Sequence, residues 1–208
     1  MPHKPGDGEV LNHDSIDNAL FLIAGLLDAT ASGPFSLVVC GGAALAITGL
    51  FVRTTKDVDI LALRDPASGS LTSPEPLPHA LLDAAAIAAK EMRLPPDWLN
   101  NGPSSNEGGL FQMGLPEGLA DRLTERVYGK RLTVFFISRL DQIHFKLYAA
   151  VDQGGGYHAA DLKHLKPTES EIKCAARWTM THDVSEVFHS ELQRFLHALG
   201  YDDVAQRL

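Results

Sequence analysis

Residues 37–63 read LVVCGGAALAITGLFVRTTKDVDILAL and contain two apolar runs separated by a helical pattern. Its first apolar run ends at two adjacent glycines, and the residues that follow, AALAITGL, favour about two turns of helix. A second apolar run, DVDILAL (57–63), begins with two aspartates one residue apart. The pattern predicts a strand, a glycine turn, a short helix and a second strand.

Outside this stretch the chain alternates between helical and strand patterns, which is typical of an α/β or α+β domain. RLTVFFI (131–137) predicts a third strand, and only helical patterns follow it. We therefore predict a small mixed sheet with packed helices over residues 1–137 and a helical region over residues 138–208. Residues 1–13 are interpreted as a loose tail, and residues 64–77 and 95–109 as loops rich in Pro, Ser, Gly and Asn.

Composition and charge exclude several classes of protein. With 208 residues and 45% hydrophobic content the chain can bury a core. A net charge of −8 argues against broad adhesion to nucleic acid or to an anionic membrane. No apolar run approaches the roughly 20 residues of a membrane helix, and the first residues do not resemble a secretory signal, so we expect a cytoplasmic protein with no membrane partner. The two cysteines, Cys40 and Cys174, are expected to be reduced thiols.

The two aspartates, Asp57 and Asp59, are expected to share one face of their strand, because successive side chains of a strand point to opposite faces. Two carboxylates at such close range repel each other unless a cation, a basic partner or solvent compensates them. Mg²⁺ is a suitable cation, since it binds carboxylate oxygens together with phosphate oxygens of a substrate. A solvated strand end is the simpler alternative.

The two glycines, Gly41 and Gly42, lie where a strand ends and a helix opens. Free backbone N–H groups and the helix dipole favour an anion at such a position, and the absence of Cβ allows a phosphate to approach. A phosphate site beside metal-binding carboxylates is what transfer of a nucleotide from a triphosphate requires. The pattern thus raises nucleotidyl transfer as a hypothesis.

The two glycines followed by Arg53-Thr54-Thr55-Lys56-Asp57-Val58-Asp59-Ile60 resemble the signature of the polymerase-beta-like nucleotidyltransferase superfamily, specifically its AbiEii-like toxin branch. The resemblance implies a nucleotidyltransferase-like sheet and an enzyme that uses Mg²⁺ to move a nucleoside monophosphate from an NTP to a hydroxyl of RNA or protein. It also implies a possible role as a toxin held by an antitoxin.

The same resemblance assigns residues to this chemistry. It implies that Asp57 and Asp59 hold Mg²⁺ and that Gly41 and Gly42 hold the phosphates. Arg53, Thr55 and Lys56 lie beside the acidic pair in sequence and could contact phosphate, and Arg53 could equally pair with Asp57 as a structural bridge.

A lysine on a later helix and a following aspartate extend the resemblance to Lys146 and Asp161. The helix around Lys146 is apolar nearly all round, so the lysine needs an anionic partner or must reach water. A triphosphate, Asp161 or a purely structural salt bridge would each serve. Asp161 is also a candidate metal ligand.

The chain departs from the family pattern at one point. Polymerase-like transferases usually carry a third carboxylate on a following strand, whereas RLTVFFI has none. Asp121, Asp141 or Asp161 could take its place in space. The alternative function is a catalytically silent module of the same fold that binds a nucleotide or another protein.

Other nucleotide-binding and metal-binding motifs do not fit. The glycines do not follow GxGxxG, and the aspartates begin the following strand, which disfavours a dinucleotide-binding turn. No GxxxxGK[ST] phosphate loop occurs, and the histidines form neither HExxH nor a Cys and His ligand cluster. We therefore assign neither a P-loop nor zinc.

Overall fold

A computed structural model describes residues 10–106 and 108–208 of the chain. These residues form a mixed α/β structure with a mixed sheet, and this confirms the predicted fold class. The chain divides between Ile137 and Ser138 into two compact units. The first unit holds the sheet, and the second is helical.

The sheet of the first unit has the strand order β3-β2-β1-β6-β5, with β4 paired to β2. Its strands are β1 Phe35–Cys40, β2 Val58–Arg64, β3 Leu71–Thr72, β4 Leu99–Asn100, β5 Thr124–Val127 and β6 Leu132–Phe136. The central strand β1 runs antiparallel to β2 and parallel to β6, so the sheet is mixed. The three strands predicted from the sequence are therefore its neighbouring central members.

The helices of the first unit are α1 His13–Ala29, α2 Gly41–Ile47, α3 His79–Met92 and the single turn α4 Leu110–Met113, with 3₁₀ turns at Gly102–Ser104 and Leu119–Asp121. Helix α1 buries the stripe that its periodicity predicts, including Ile16, Leu20 and Ile23. Its start is fixed by Asn12, whose side chain accepts a hydrogen bond from the backbone N–H of Ser15.

The prediction of a loose tail over residues 1–13 is wrong for its last part. Leu11 is fully buried, and its backbone N–H and C=O both bond to Thr55, at 2.7 and 2.8 Å. Residues 1–9 lie outside the described part of the chain. The bonded segment was missed because one bridging residue has no period that a sequence pattern can reveal.

The two predicted loops each contain a short strand, so those predictions are wrong at β3 and β4. Strand β3 pairs antiparallel with the end of β2, and β4 pairs parallel with its start. Beside β4 the fully buried Trp98 donates its indole N–H to the carbonyl of Ala85 in α3. Tertiary packing, which two-residue runs cannot encode locally, creates both strands.

The second unit consists of α5 Arg139–Asp152, α6 Gly156–Leu165, α7 Glu169–Thr179, α8 Glu186–Ala198 and the single turn α9 Asp202–Ala205. Its first helix is capped by Ser138 and Asp141, and α7 is capped by Thr168 and Glu171. Cys40 and Cys174 are both free thiols. None of the helices within residues 10–106 and 108–208 has the length and apolar character to cross a membrane.

The junction between α5 and α7 gives a prediction about pH. Hydrogen bonds from Arg139 lower the pKa of Glu171 to about 2 from its ordinary 4.5, against the opposing effect of burial. Because the folded state holds the proton less tightly than the unfolded chain, this contribution is complete above pH 4.5 and is lost as the pH falls towards about 2. Wild type should therefore be more stable than Glu171→Gln near neutral pH, and the difference should shrink between pH 4.5 and about 2.

Urea unfolding across this pH range measures that difference. Glu169→Gln removes a negative charge from the same helical turn and is the matched control. A difference between wild type and Glu171→Gln that stays constant down to pH 2 would contradict the assignment.

Candidate functional site

The turn from β1 into α2 lies directly against Asp59. Gly41 has a positive φ of 67°, and a Cβ built on it would lie 2.5 Å from Oδ2 of Asp59. A side chain at position 41 would therefore displace this carboxylate, and the backbone conformation also favours glycine. The carboxylate and the glycine turn form one packed unit.

The second glycine is packed against a different pair of side chains. A Cβ on Gly42 would lie 2.6 Å from Oγ1 of Thr55 and 3.2 Å from Nε of Arg53. Thr55 is buried, and its hydroxyl donates a 3.0 Å hydrogen bond to Oδ1 of Asp57. The predicted residues Arg53 and Thr55 thus lie against the glycine turn, and Thr55 also holds Asp57.

The two aspartates occupy different positions relative to the strand. Strand β2 begins at Val58, so Asp59 lies inside it, opposite Cys40, while Asp57 lies just before it. Both are partly buried. Since side-chain alternation holds only within a strand, the shared face of the two carboxylates stays a prediction.

Strand β4 adds a neighbour that the sequence pattern does not predict. Asn100 pairs with Asp59 across the parallel ladder, on the opposite side from Cys40. Its Oδ1 accepts from the backbone N–H of Gly102 at 2.7 Å, so its amide is engaged in its own loop. The signal that could have located this segment is the apolar pair Trp98 and Leu99 inside an otherwise polar loop.

The oxygen donors at this turn fit a hard cation. Mg²⁺ is commonly bound by one or two carboxylates, with water and substrate phosphates completing its shell. Asp57 and Asp59 are two carboxylates of this kind, and their joint binding of one ion stays a prediction. Within residues 10–106 and 108–208, no three His, Cys, Asp or Glu side chains are grouped so that they could hold a metal.

Lys146 and Asp161 form a buried ion pair inside the second unit. Nζ of Lys146 lies 2.9 Å from Oδ2 of Asp161, and the two side chains are only 6% and 3% exposed. The ring of Tyr157 lies 5.7 Å from the same Nζ. Asp161 is therefore the anionic partner of this lysine in the structure. The assignment of Asp161 as a metal ligand stays a prediction.

Asp141 and Asp121, the other two candidates for a third carboxylate, each belong to a local turn or helix cap. Asp141 is fully buried, and its Oδ2 accepts from the hydroxyl of Ser138 at 2.6 Å as part of the α5 cap. Asp121 ends the 3₁₀ turn that starts at Leu119. The capping role explains the burial of Asp141 without a metal.

Comparison of the chain with protein-family models, with curated proteins and with solved structures gives no match.

Proposed function

We propose that the protein is a metal-dependent nucleotidyltransferase, which moves a nucleoside monophosphate from an NTP to an acceptor hydroxyl. One observation carries the proposal: the carboxylate of Asp59 is packed against the glycine turn that opens α2, with Asp57 held by Thr55 nearby. Carboxylate oxygens beside a glycine turn suit a magnesium-bound triphosphate.

In this proposal Asp57 and Asp59 hold Mg²⁺, which when bound neutralises phosphate charge and favours attack by the acceptor oxygen. Gly41 and Gly42 are the proposed phosphate-binding turn. The space that their missing side chains leave is taken by Asp59, Thr55 and Arg53, and Arg53 is the proposed cationic contact for phosphate. The contact of Lys146 with the triphosphate tail stays a prediction; within its own unit the ammonium of Lys146 pairs with Asp161.

The acceptor and the physiological role are proposed by resemblance alone. RNA or protein is the proposed acceptor, and a toxin controlled by an antitoxin is the proposed role.

The proposal is tested by incubating the protein with each of four α-labelled NTPs and Mg²⁺, in the presence of total cell RNA or total cell protein. We expect label from at least one NTP to appear on one acceptor class and to disappear with EDTA. Absence of label in every combination, from protein verified as folded, would reject the transferase.

A silent nucleotide-binding module is the second candidate. It is favoured by the observation that no third acid joins Asp57 and Asp59 among the described residues. Calorimetric titration with NTP and Mg²⁺ separates the two candidates, because the silent module binds without transfer. If the protein neither binds an NTP nor transfers label, the result would instead favour a role in protein interaction.

A further inference from the structure

Arg64, the last residue of β2, has no carboxylate partner among the described residues. Its Nε is buried without a hydrogen-bond acceptor. Two other partly buried arginines, Arg126 and Arg139, pair with Asp17 and Glu171. A guanidinium stays charged at any physiological pH and presents five donors, so an unpaired one in a partly buried position favours an added anion.

The guanidinium of Arg64 lies close to two neighbours. Its Cζ lies 4.6 Å from the ring centroid of Phe135 on β6. Gly69, which has a φ of 74°, is also close, since a Cβ built on it would lie 2.8 Å from Nη2. The neighbouring Asp65 accepts hydrogen bonds from the backbone N–H groups of Ala67 and Ser68, so its carboxylate serves the turn.

Two hydroxyl groups lie on the same face of the sheet as this arginine. Ser36 and Thr133 are paired in the parallel ladder between β1 and β6, and both are partly buried. Thr133 lies on the same face as Phe135, because the two are two residues apart on β6. Leu37 of β1 pairs with Leu63 of β2, so the next residues along the ladder, Ser36 and Arg64, lie beside each other. The row therefore offers one cation and two hydroxyl donors.

The same face also carries Asp59. The register between β1 and β2 shifts between Val38 and Val39, where a bulge adds one residue to β2. On one side of the bulge Asp59 pairs with Cys40, and on the other side Arg64 lies beside Ser36. Ser36 and Cys40 are four residues apart on one strand and so share a face, with a separation of roughly 13 Å. Without the bulge, the odd spacing from Asp59 to Arg64 would put them on opposite faces.

We propose that Arg64, Ser36 and Thr133 form a subsite for a phosphate group of the acceptor. The inference rests on the proposed nucleotidyl transfer at Asp59 and specifies its substrate class: an acceptor that carries a phosphate group. Phosphate suits the row better than carboxylate does, because its oxygens can accept from the guanidinium and from hydroxyls in different directions.

Binding is tested without any transfer reaction by observing the arginine Nε–H signals in a ¹H–¹⁵N spectrum. The Arg64 signal is assigned by its absence in Arg64→Lys, and the protein is titrated with inorganic phosphate at constant ionic strength. We expect a saturable shift of this signal, a smaller shift with acetate, and none for Arg126 and Arg139. A shift no larger than chloride produces would overturn the subsite, and an equal response to acetate would overturn its preference for phosphate.

The hydroxyl contribution and the link to transfer have their own tests. Ser36→Ala should weaken phosphate binding several-fold, whereas Thr72→Ala, which removes an exposed strand hydroxyl on β3, should not; equal effects would overturn the role of Ser36.

In the transfer assay, Arg64→Gln should raise the KM for the acceptor with little change in kcat. An unchanged KM would overturn the assignment to the acceptor. If wild type shows no transfer, the proposed function fails, and the phosphate titration still decides whether the subsite exists.

Discussion

Replacement of Asp59 by asparagine is expected to reduce nucleotidyl transfer by at least about 100-fold, equivalent to about 2.7 kcal/mol of transition-state stabilisation. Asparagine nearly matches the shape of the carboxylate that packs on Gly41, so the turn should remain intact. What is lost is one negative charge for Mg²⁺, whose contribution to phosphoryl chemistry is several kcal/mol. The measurement is the rate of label transfer at saturating NTP and Mg²⁺.

Asp83→Asn is the matched control for this variant, because Asp83 is an exposed aspartate on α3 and the charge change is identical. It should transfer at the wild-type rate. Urea unfolding of both variants establishes that they fold. Wild-type activity in a folded Asp59→Asn protein would reject the role of this carboxylate in metal binding.

Replacement of Asp161 by asparagine is expected to lower the free energy of unfolding of the second unit by about 3–5 kcal/mol. The variant leaves the Lys146 ammonium, which is almost fully buried, without its carboxylate. The double variant Lys146→Met with Asp161→Leu should recover most of this loss, because it removes both buried charges and keeps apolar volume. Urea unfolding and the hydrogen exchange of α5 and α6 amides measure these effects.

Lys163→Met provides the control for the loss of a lysine from this unit, since Lys163 is exposed on α6. Its effect should stay within about 0.5 kcal/mol. If Asp161→Asn cost less than about 1 kcal/mol, the pair would behave as a solvated surface bridge, contrary to its burial.

The central strands were predictable because each is long and apolar enough to carry a pattern. Strand β1 ends directly before the two glycines, as predicted, and β2 and β6 begin within one residue of their predicted starts. Strand β5 was not recognised, since its residues are largely exposed and lack an apolar face. Strands β3 and β4 form only because they pair with β2. Their own two residues carry no pattern that would predict this pairing.

The candidate site divides in the same way. Adjacent glycines and spaced aspartates are visible in the sequence, and so are Lys146 and Asp161 as possible partners. The close packing of Asp59 on Gly41 and of Thr55 on Gly42 is a tertiary property that no spacing reveals. The bulge that places Arg64 and Asp59 on the same face of the sheet is also a tertiary property, because a bulge is defined by the partner strand.

The backbone bridge between Leu11 and Thr55 has a practical consequence for the design of recombinant versions of this protein. A chain that begins after Leu11 would lose two hydrogen bonds and a fully buried leucine beside the residue that holds Asp57. Burial of such a side chain contributes about 1.5–3 kcal/mol. Truncation of the amino-terminal segment is thus an indirect change to the surroundings of the acidic pair, and Leu11 marks the last position at which a shortened chain should begin.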